Sequence, residues 1–252
     1  VGRHSKKIDF DACTRRGVLV AHGLASSPVA PAELTLAFML AARRNVVLEA
    51  TRMKAGLFPV TLSHRLAGST LGIFGLGQIG EIVARAAHAL GMNILVFGRE
   101  ASTSQAHALG YGVADSKQAL FSESDVLSLH VRYSKETHGI VTRADLDLMK
   151  PSALFINTAR AELVESSALE GALLAGKPGY AAVDVYENEP VLNGNHPLLK
   201  MDNVICLPHL GWADHGTFEL YFGEAFEQVA LFANGKPLRL ANPQVLGKTS
   251  HP

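Results

Sequence analysis

From residue 71 onward, short runs of consecutive apolar residues alternate with stretches of helical spacing. The apolar runs fall at 71–75, 93–97, 125–130, 153–157, 180–185 and 203–207. Runs this short, apolar without alternation, read as strands covered on both faces. Helical patterns fit between them, at 78–90, 102–109, 117–121, 143–149 and 164–175. Strand and helix in alternation predict an α/β fold with a doubly wound parallel sheet. Right-handed crossovers then bring Gly75, Gly98, Val131, Thr158, Tyr186 and His209 to one edge, the carboxyl ends of the strands. Open α/β sheets bind their ligands there.

The front of the chain reads differently. Residues 9–16 form a short helical turn ended by Gly17, and 18–20 a brief buried strand. Ser26-Ser27-Pro28 and Pro31 mark a hinge and a helix start, since proline is tolerated in a first turn. One long helix follows over 32–54, with Leu36, Met39, Leu40, Val47 and Leu48 as its apolar stripe. A loop with Pro59 spans 56–65. The last amphipathic helix, 217–234, ends at Gly235-Lys-Pro237.

The first predicted strand runs directly into Gly75-Leu-Gly77-Gln-Ile-Gly80 and a helix. In that setting Gly-x-Gly-x-x-Gly is a dinucleotide fingerprint, which makes the sheet Rossmann-type. One glycine makes the tight turn, one admits the pyrophosphate and one lets helix and strand pack closely. Gln78 and Ile79 open the helix, whose free N–H groups and positive dipole end favour phosphate. An NAD site usually carries an acid at the end of the second strand. Here that strand ends in Gly98-Arg99-Glu100. Loss of the carboxylate removes repulsion of a 2′-phosphate, and a guanidinium binds one bidentately. NADP(H) is therefore favoured, with NAD the second choice should Glu100 turn inward.

Three further segments end later strands: Asn157-Thr158-Ala159-Arg160, Asp184 to Glu189-Pro190, and Pro208-His209-Leu-Gly211. They place a cation, a carboxylate and an imidazole on the cofactor edge. That set suits reversible hydride transfer to a small 2-keto acid. Arg160 would anchor the carboxylate and polarise the ketone. His209 would exchange the hydroxyl proton, and Glu189 would orient it and favour its protonated form. Singly, each has an ordinary surface or packing role as its alternative. Trp212 either walls a substrate pocket or packs at a domain junction. His64, His107, His138 and His215 read as solvated, His130 as a packing residue and His196-Pro197-Leu198 as a loop staple. No histidine pair has metal spacing, and no metal site is expected.

Composition narrows the partners. Lys+Arg and Asp+Glu are both 23, which gives no support for nucleic acid or an anionic membrane surface. Cys13 and Cys206 lack redox or ligand spacing and read as reduced thiols of a cytoplasmic protein. The apolar run at 34–42 is too short to span a bilayer, so no membrane segment is expected.

These motifs, in this order, resemble the D-isomer-specific 2-hydroxyacid dehydrogenase family. The resemblance runs through Ile8-Asp9 to Gly17-Val18, Ala32-Glu33-Leu34, the glycine loop, Met149-Lys150-Pro151, and the three segments just named. It implies Arg160, Glu189 and His209 as the catalytic set. It implies cofactor contacts from Gly75, Gly77, Gln78, Ile79, Gly80, Arg99, Thr158 with Ala159, and Asp184. Gly98-Arg99 resembles the family's NADP-using glyoxylate and hydroxypyruvate reductases. A homodimer through the long helix, on Leu36, Met39 and Leu40, is implied as well. Members have a flavodoxin-like substrate domain before the cofactor domain. Here Val1-Gly2-Arg3-His4 resembles its late part. The reading is therefore 1–26 as a remnant of that domain, 27–212 as the dinucleotide-binding domain with the dimer helix, and 213–252 as a helix returning to the incomplete substrate domain. A cofactor-binding module or fragment without turnover is the alternative.

Overall fold

The computed structural model describes residues 8–23, 27–58, 61–236 and 238–246. The expectations on Val1-Gly2-Arg3-His4, Ser26, Pro59 and Pro237 lie outside the described residues. The chain divides into two compact units, Pro28–Gly211 and a smaller one from Val1–Ser27 with Trp212–Pro252.

The larger unit is built on seven strands: β1 (Thr70–Phe74), β2 (Asn93–Phe97), β3 (Gly112–Val113), β4 (Val126–Leu129), β5 (Leu154–Asn157), β6 (Tyr180–Val183) and β7 (Val204–Cys206). Their order is β3-β2-β1-β4-β5-β6-β7, and every pairing is parallel. Alternate residues of each strand face opposite sides. Phe155 of β5 and Leu127 of β4 join one core layer, while Leu154, Ile156 and Val126 join the other. The first layer is closed by α6 (Lys117–Glu123), α7 (Arg143–Asp147) and α8 (Ala168–Leu174), through Phe121, Leu146 and Leu169. The second is closed by α2 (Val29–Arg43), α4 (Gln78–Ala89) and α5 (Glu100–Ala108), through Phe38, Val83 and Ala106. Two covered faces explain why the strands are apolar runs and not alternating ones.

Four local expectations change. The long helix is two, α2 and α3 (Val46–Lys54), because Asn45 takes a left-handed φ of 54°. Asparagine tolerates that conformation, and its side chain donates to Thr61 Oγ1 (2.9 Å), which holds the break. The helix expected at 164–175 is shorter: a 3₁₀ turn covers Ala161–Leu163, Val164 is extended, and α8 starts only after Ser167. The strand at 18–20 does not form; Val18 is exposed, and only Ala21 makes a single bridge, to Leu240. The short edge strand β3 carried too few residues to read as a run.

In the smaller unit, α1 (Phe10–Arg15) is capped by the Asp9 carboxylate, which accepts from Ala12 N–H (2.8 Å). Its long helix α9 (His215–Ala233) is capped in the same way by Asp214. Asn242 ties the unit together, accepting from Val20 N–H (2.9 Å) and donating to Val18 C=O (2.9 Å). No described helix is long and apolar enough to cross a membrane.

Candidate active site

Strand order reverses at β1, which lies between β2 and β4, so a crevice opens beyond the carboxyl ends of β1 and β4. The glycine loop sits there. Gly75 has φ +94°, and a Cβ on it would stand 3.0 Å from the His130 carbonyl oxygen beyond β4. A Cβ on Gly80 would stand 2.6 Å from the Gly75 carbonyl oxygen, so only glycine lets α4 lie this close to the loop. Gly77 is different: a Cβ there meets nothing within 4 Å. It is exposed and is the N-cap of α4, with no side-chain cap. The N–H groups of the first turn, from Gln78 through Gly80, have no intrahelical partner, as at any helix start. Open space over Gly77, free N–H groups and the dipole end of a twelve-residue helix together fit a pyrophosphate.

The loop is braced from the next strand. Leu76 N–H donates to Ser102 Oγ (3.1 Å) in the first turn of α5. Gly98 ends β2 under the same side chain, and a Cβ on Gly98 would lie 3.0 Å from Ser102 Cβ and Oγ. Arg99 is the exposed N-cap of α5 and has no carboxylate partner among the described residues. Glu100 is exposed in the first helical turn.

Beyond β5, buried Asn157 folds the following turn. Its amide donates to Arg160 C=O (2.9 Å) and its oxygen accepts from Ala159 N–H (3.0 Å). Arg160 is exposed, and its guanidinium donates only to Ala159 C=O. Among the described residues no hydrogen bond or ion pair joins Arg160, after β5, to Glu189 or His209, after β6 and β7. Thr158 Oγ1 lies 2.8 Å from Thr35 Oγ1, whose own proton goes to Pro31 C=O (2.8 Å). With that proton committed, Thr158 is the donor of the pair. Asn157→Leu leaves Ala159 N–H without its acceptor, while Arg160 C=O keeps Leu163 N–H (3.3 Å), and is expected to cost about 1–3 kcal/mol in total. Urea unfolding measures it.

Beyond β6 and β7 the histidine and the carboxylate meet. His209 Nδ1 lies 2.7 Å from Glu189 Oε2, with both side chains about one-third exposed. The other carboxylate oxygen, Oε1, accepts from Tyr186 N–H (3.0 Å), which orients Glu189 from behind. His209 Nε2 is left for a ligand. His209 itself is in the left-handed region, φ 56°. Fully buried Asp184 holds this loop: its two oxygens accept from Leu210 N–H and Gly211 N–H, each at 2.7 Å. Burial raises the Asp184 carboxyl above its ordinary range, against the two N–H donors, which lower it.

A match to a family model settles the lineage. Residues 36–211 match the model of the D-isomer specific 2-hydroxyacid dehydrogenase, NAD binding domain. The chain belongs to the D-isomer specific 2-hydroxyacid dehydrogenases. It is 38% identical over 249 residues to a glyoxylate reductase of Aeropyrum pernix, covering 95% of this chain and 74% of that one. It is 36% identical to a D-3-phosphoglycerate dehydrogenase of Archaeoglobus fulgidus, covering 93% of this chain but 44% of the longer relative. Among solved structures, one described as a putative D-3-phosphoglycerate dehydrogenase from Ralstonia solanacearum superposes with a TM-score of 0.93 at 47% identity. That match covers 97% of this chain and 76% of that one.

Within this dehydrogenase, several residues near the site carried no motif signal. Thr35 and Ser102 act through hydrogen bonds across the chain, and the loop-holding role of Asp184 depends on residues 26 and 27 positions away. Trp212 stacks on Phe218 in the smaller unit, with ring centroids 5.0 Å apart. His130 ends β4 with Nε2 3.0 Å from Ser128 Oγ, and burial lowers its pKa from 6.5 to about 4. The folded ring is thus neutral where the unfolded one is charged. Stability is full above pH 6.5 and falls as pH drops toward about 4, by about 3 kcal/mol at most. Denaturant titrations across that window should show the slope, and His130→Gln should flatten it.

Proposed function

We propose that this chain reduces a small 2-keto acid to the D-2-hydroxy acid, with glyoxylate or hydroxypyruvate as substrates and NADPH preferred over NADH. The observation that carries the reading is the 2.7 Å contact between His209 Nδ1 and Glu189 on the cofactor edge of the sheet. Gly75, Gly77, Gln78, Ile79 and Gly80 would hold the pyrophosphate, Arg99 the adenosine end, and Thr158, Ala159 and Asp184 would line the nicotinamide end. A nicotinamide bound there supplies a hydride. Glu189 accepts the Nδ1 proton and keeps the imidazole turned, so Nε2 faces the substrate. Nε2 gives its proton to the keto oxygen as the carbonyl carbon gains hydrogen; the C=O becomes H–C–O–H. Arg160, exposed and without a carboxylate partner among the described residues, binds the substrate carboxylate and draws charge from the ketone. The family and the names of its reductase relatives support the substrate class.

Mixing the protein with NADPH and glyoxylate or hydroxypyruvate, and following absorbance at the nicotinamide band, tests this reading. No cofactor oxidation with any small 2-keto acid would overturn it, and tight NADPH binding without turnover would favour a cofactor-binding module. Arg99→Ala is expected to weaken NADPH binding about tenfold and leave NADH within twofold, the loss of one charge-assisted contact to a 2′-phosphate. Equal losses for both cofactors would remove the NADP preference.

A cytoplasmic homodimer is part of the proposal. Met39 is fully buried in its own core and Leu36 packs there, so of the three residues expected at the dimer face only Leu40 is exposed. Val46 and Val47 of α3 extend it. Sedimentation at micromolar concentration tests the dimer.

A further inference from the structure

At the opposite end of the sheet from the glycine loop is an open cleft of about 640 Å³, where β1 begins and where the chain enters β4 and β5. Arg43, Arg44, His64 and Arg65 line it, together with Ser63 and Asp125. Arg43, at the end of α2, is only 7% exposed, and its Nη1 donates to Ser152 C=O (2.9 Å). Its Nε is fully buried and has no hydrogen-bond partner. A buried guanidinium N–H without an acceptor is costly, and here it borders a cleft. Arg44 donates only to Ser63 Oγ (3.2 Å), and Arg65 has no carboxylate partner among the described residues.

One acid lines the cleft, and it is already committed. Asp125 Oδ1 accepts from Lys150 Nζ (2.8 Å), and Oδ2 accepts from Thr70 N–H (2.9 Å). Burial alone would raise its carboxyl, and these two donors outweigh it and hold the group below the usual carboxylate range. Asp125 thus offsets Lys150 and buried Arg43, and the exposed guanidinium groups of Arg44 and Arg65 have no carboxylate partner among the described residues around the same open space.

We propose that this cleft is a second anion site, built for a phosphate-type oxyanion and separate from the cofactor edge. Planar forked donors suit a tetrahedral oxyanion better than they suit any cation or neutral ligand. The five residues of β1 lie between the two sites, roughly 15 Å of strand, so one phosphate cannot occupy both. The chemistry fits free phosphate and the phosphoryl group of a monoester alike.

Calorimetric titration of the full chain with inorganic phosphate, at constant ionic strength and with NADPH present, tests the site. Saturable binding of one phosphate per chain is expected. Arg44→Ala with Arg65→Ala should weaken it at least tenfold, while Arg99→Ala should leave it unchanged. Both arginines of the double variant are exposed, so its melting temperature without phosphate serves as the folding control. In a second arm, glycerol phosphate competes for the same site; displacement at lower concentration than inorganic phosphate assigns it to a monoester, and the reverse to the free ion. Absence of saturable phosphate binding, or equal binding by the double variant and the parent, would overturn the proposal. Neither result bears on turnover, so the test stands apart from the dehydrogenase reading.

Discussion

Replacing His209 by asparagine is expected to lower kcat for keto-acid reduction by about 10²–10⁴-fold, the range for removing a positioned general acid. The dissociation constant for NADPH should stay within about twofold. Asparagine is the informative replacement because position 209 has φ 56°. Asparagine accepts left-handed backbone, so the loop held by Asp184 keeps its shape while the imidazole is lost. The cofactor loop follows β1 and His209 follows β7, with three strands between them, which is why binding and proton transfer should separate. Glu189→Gln is the companion. It retains an oxygen for Tyr186 N–H and removes the carboxylate beside Nδ1, so a smaller loss of kcat is expected. Steady-state rates alongside cofactor fluorescence quenching measure both. Wild-type kcat in His209→Asn would end the acid/base assignment.

The second large effect is a contrast within the glycine loop. Gly77→Ala should fold as the parent does, since its φ of −92° and ψ of −167° are open to alanine and nothing lies within 4 Å of the new methyl. The methyl would instead stand where a pyrophosphate has to approach, and cofactor affinity should drop by at least tenfold. Gly80→Ala should lose both. Its Cβ would be 2.6 Å from the Gly75 carbonyl oxygen, a backbone atom that cannot swing aside, so α4 must move off the loop. Overpacking of this kind costs about 1–3 kcal/mol. In a chain of this size that lowers Tm by about 2–4 °C for each kcal/mol. Thermal melts and NADPH titrations of the two variants separate packing from ligand clearance. A Gly77→Ala protein with unchanged cofactor affinity would place the pyrophosphate elsewhere.

Much of this architecture was legible before any coordinates. Short apolar runs located six of the seven strands because a strand covered on both faces must be apolar at every position. The runs at 93–97 and 153–157 match β2 and β5 to within a residue. Failures followed weaker local signals. Asn45 interrupts a run of good helix formers, and nothing in periodicity distinguishes a helical asparagine from a left-handed one. Val18 sits in an apolar triplet that has no neighbouring strand to complete it. The helix expected from residue 164 began too early, because periodicity does not show that Val164 is extended and Ser167 left-handed at φ 58°.

The candidate site divides in the same way. Gly75, Gly77, Gly80, Arg160, Glu189 and His209 could be nominated from residue type and order, because backbone approach and proton transfer restrict which residues can serve. The sequence by itself determined the layered fold and the family, and it nominated one edge of the sheet as the candidate site. Tertiary structure decided which groups meet. It joined Glu189 to His209 across 20 positions and, among the described residues, bonded Arg160 to neither. It set Asp184 under the His209 loop and turned Ser102 toward the glycine loop. It also drew Arg43 and Arg65 to the far end of the sheet, facing one cleft. Apolar periodicity records burial, which is local and averaged over many residues. Hydrogen-bond partners and unmatched charges depend on pairwise distances that only the folded chain defines.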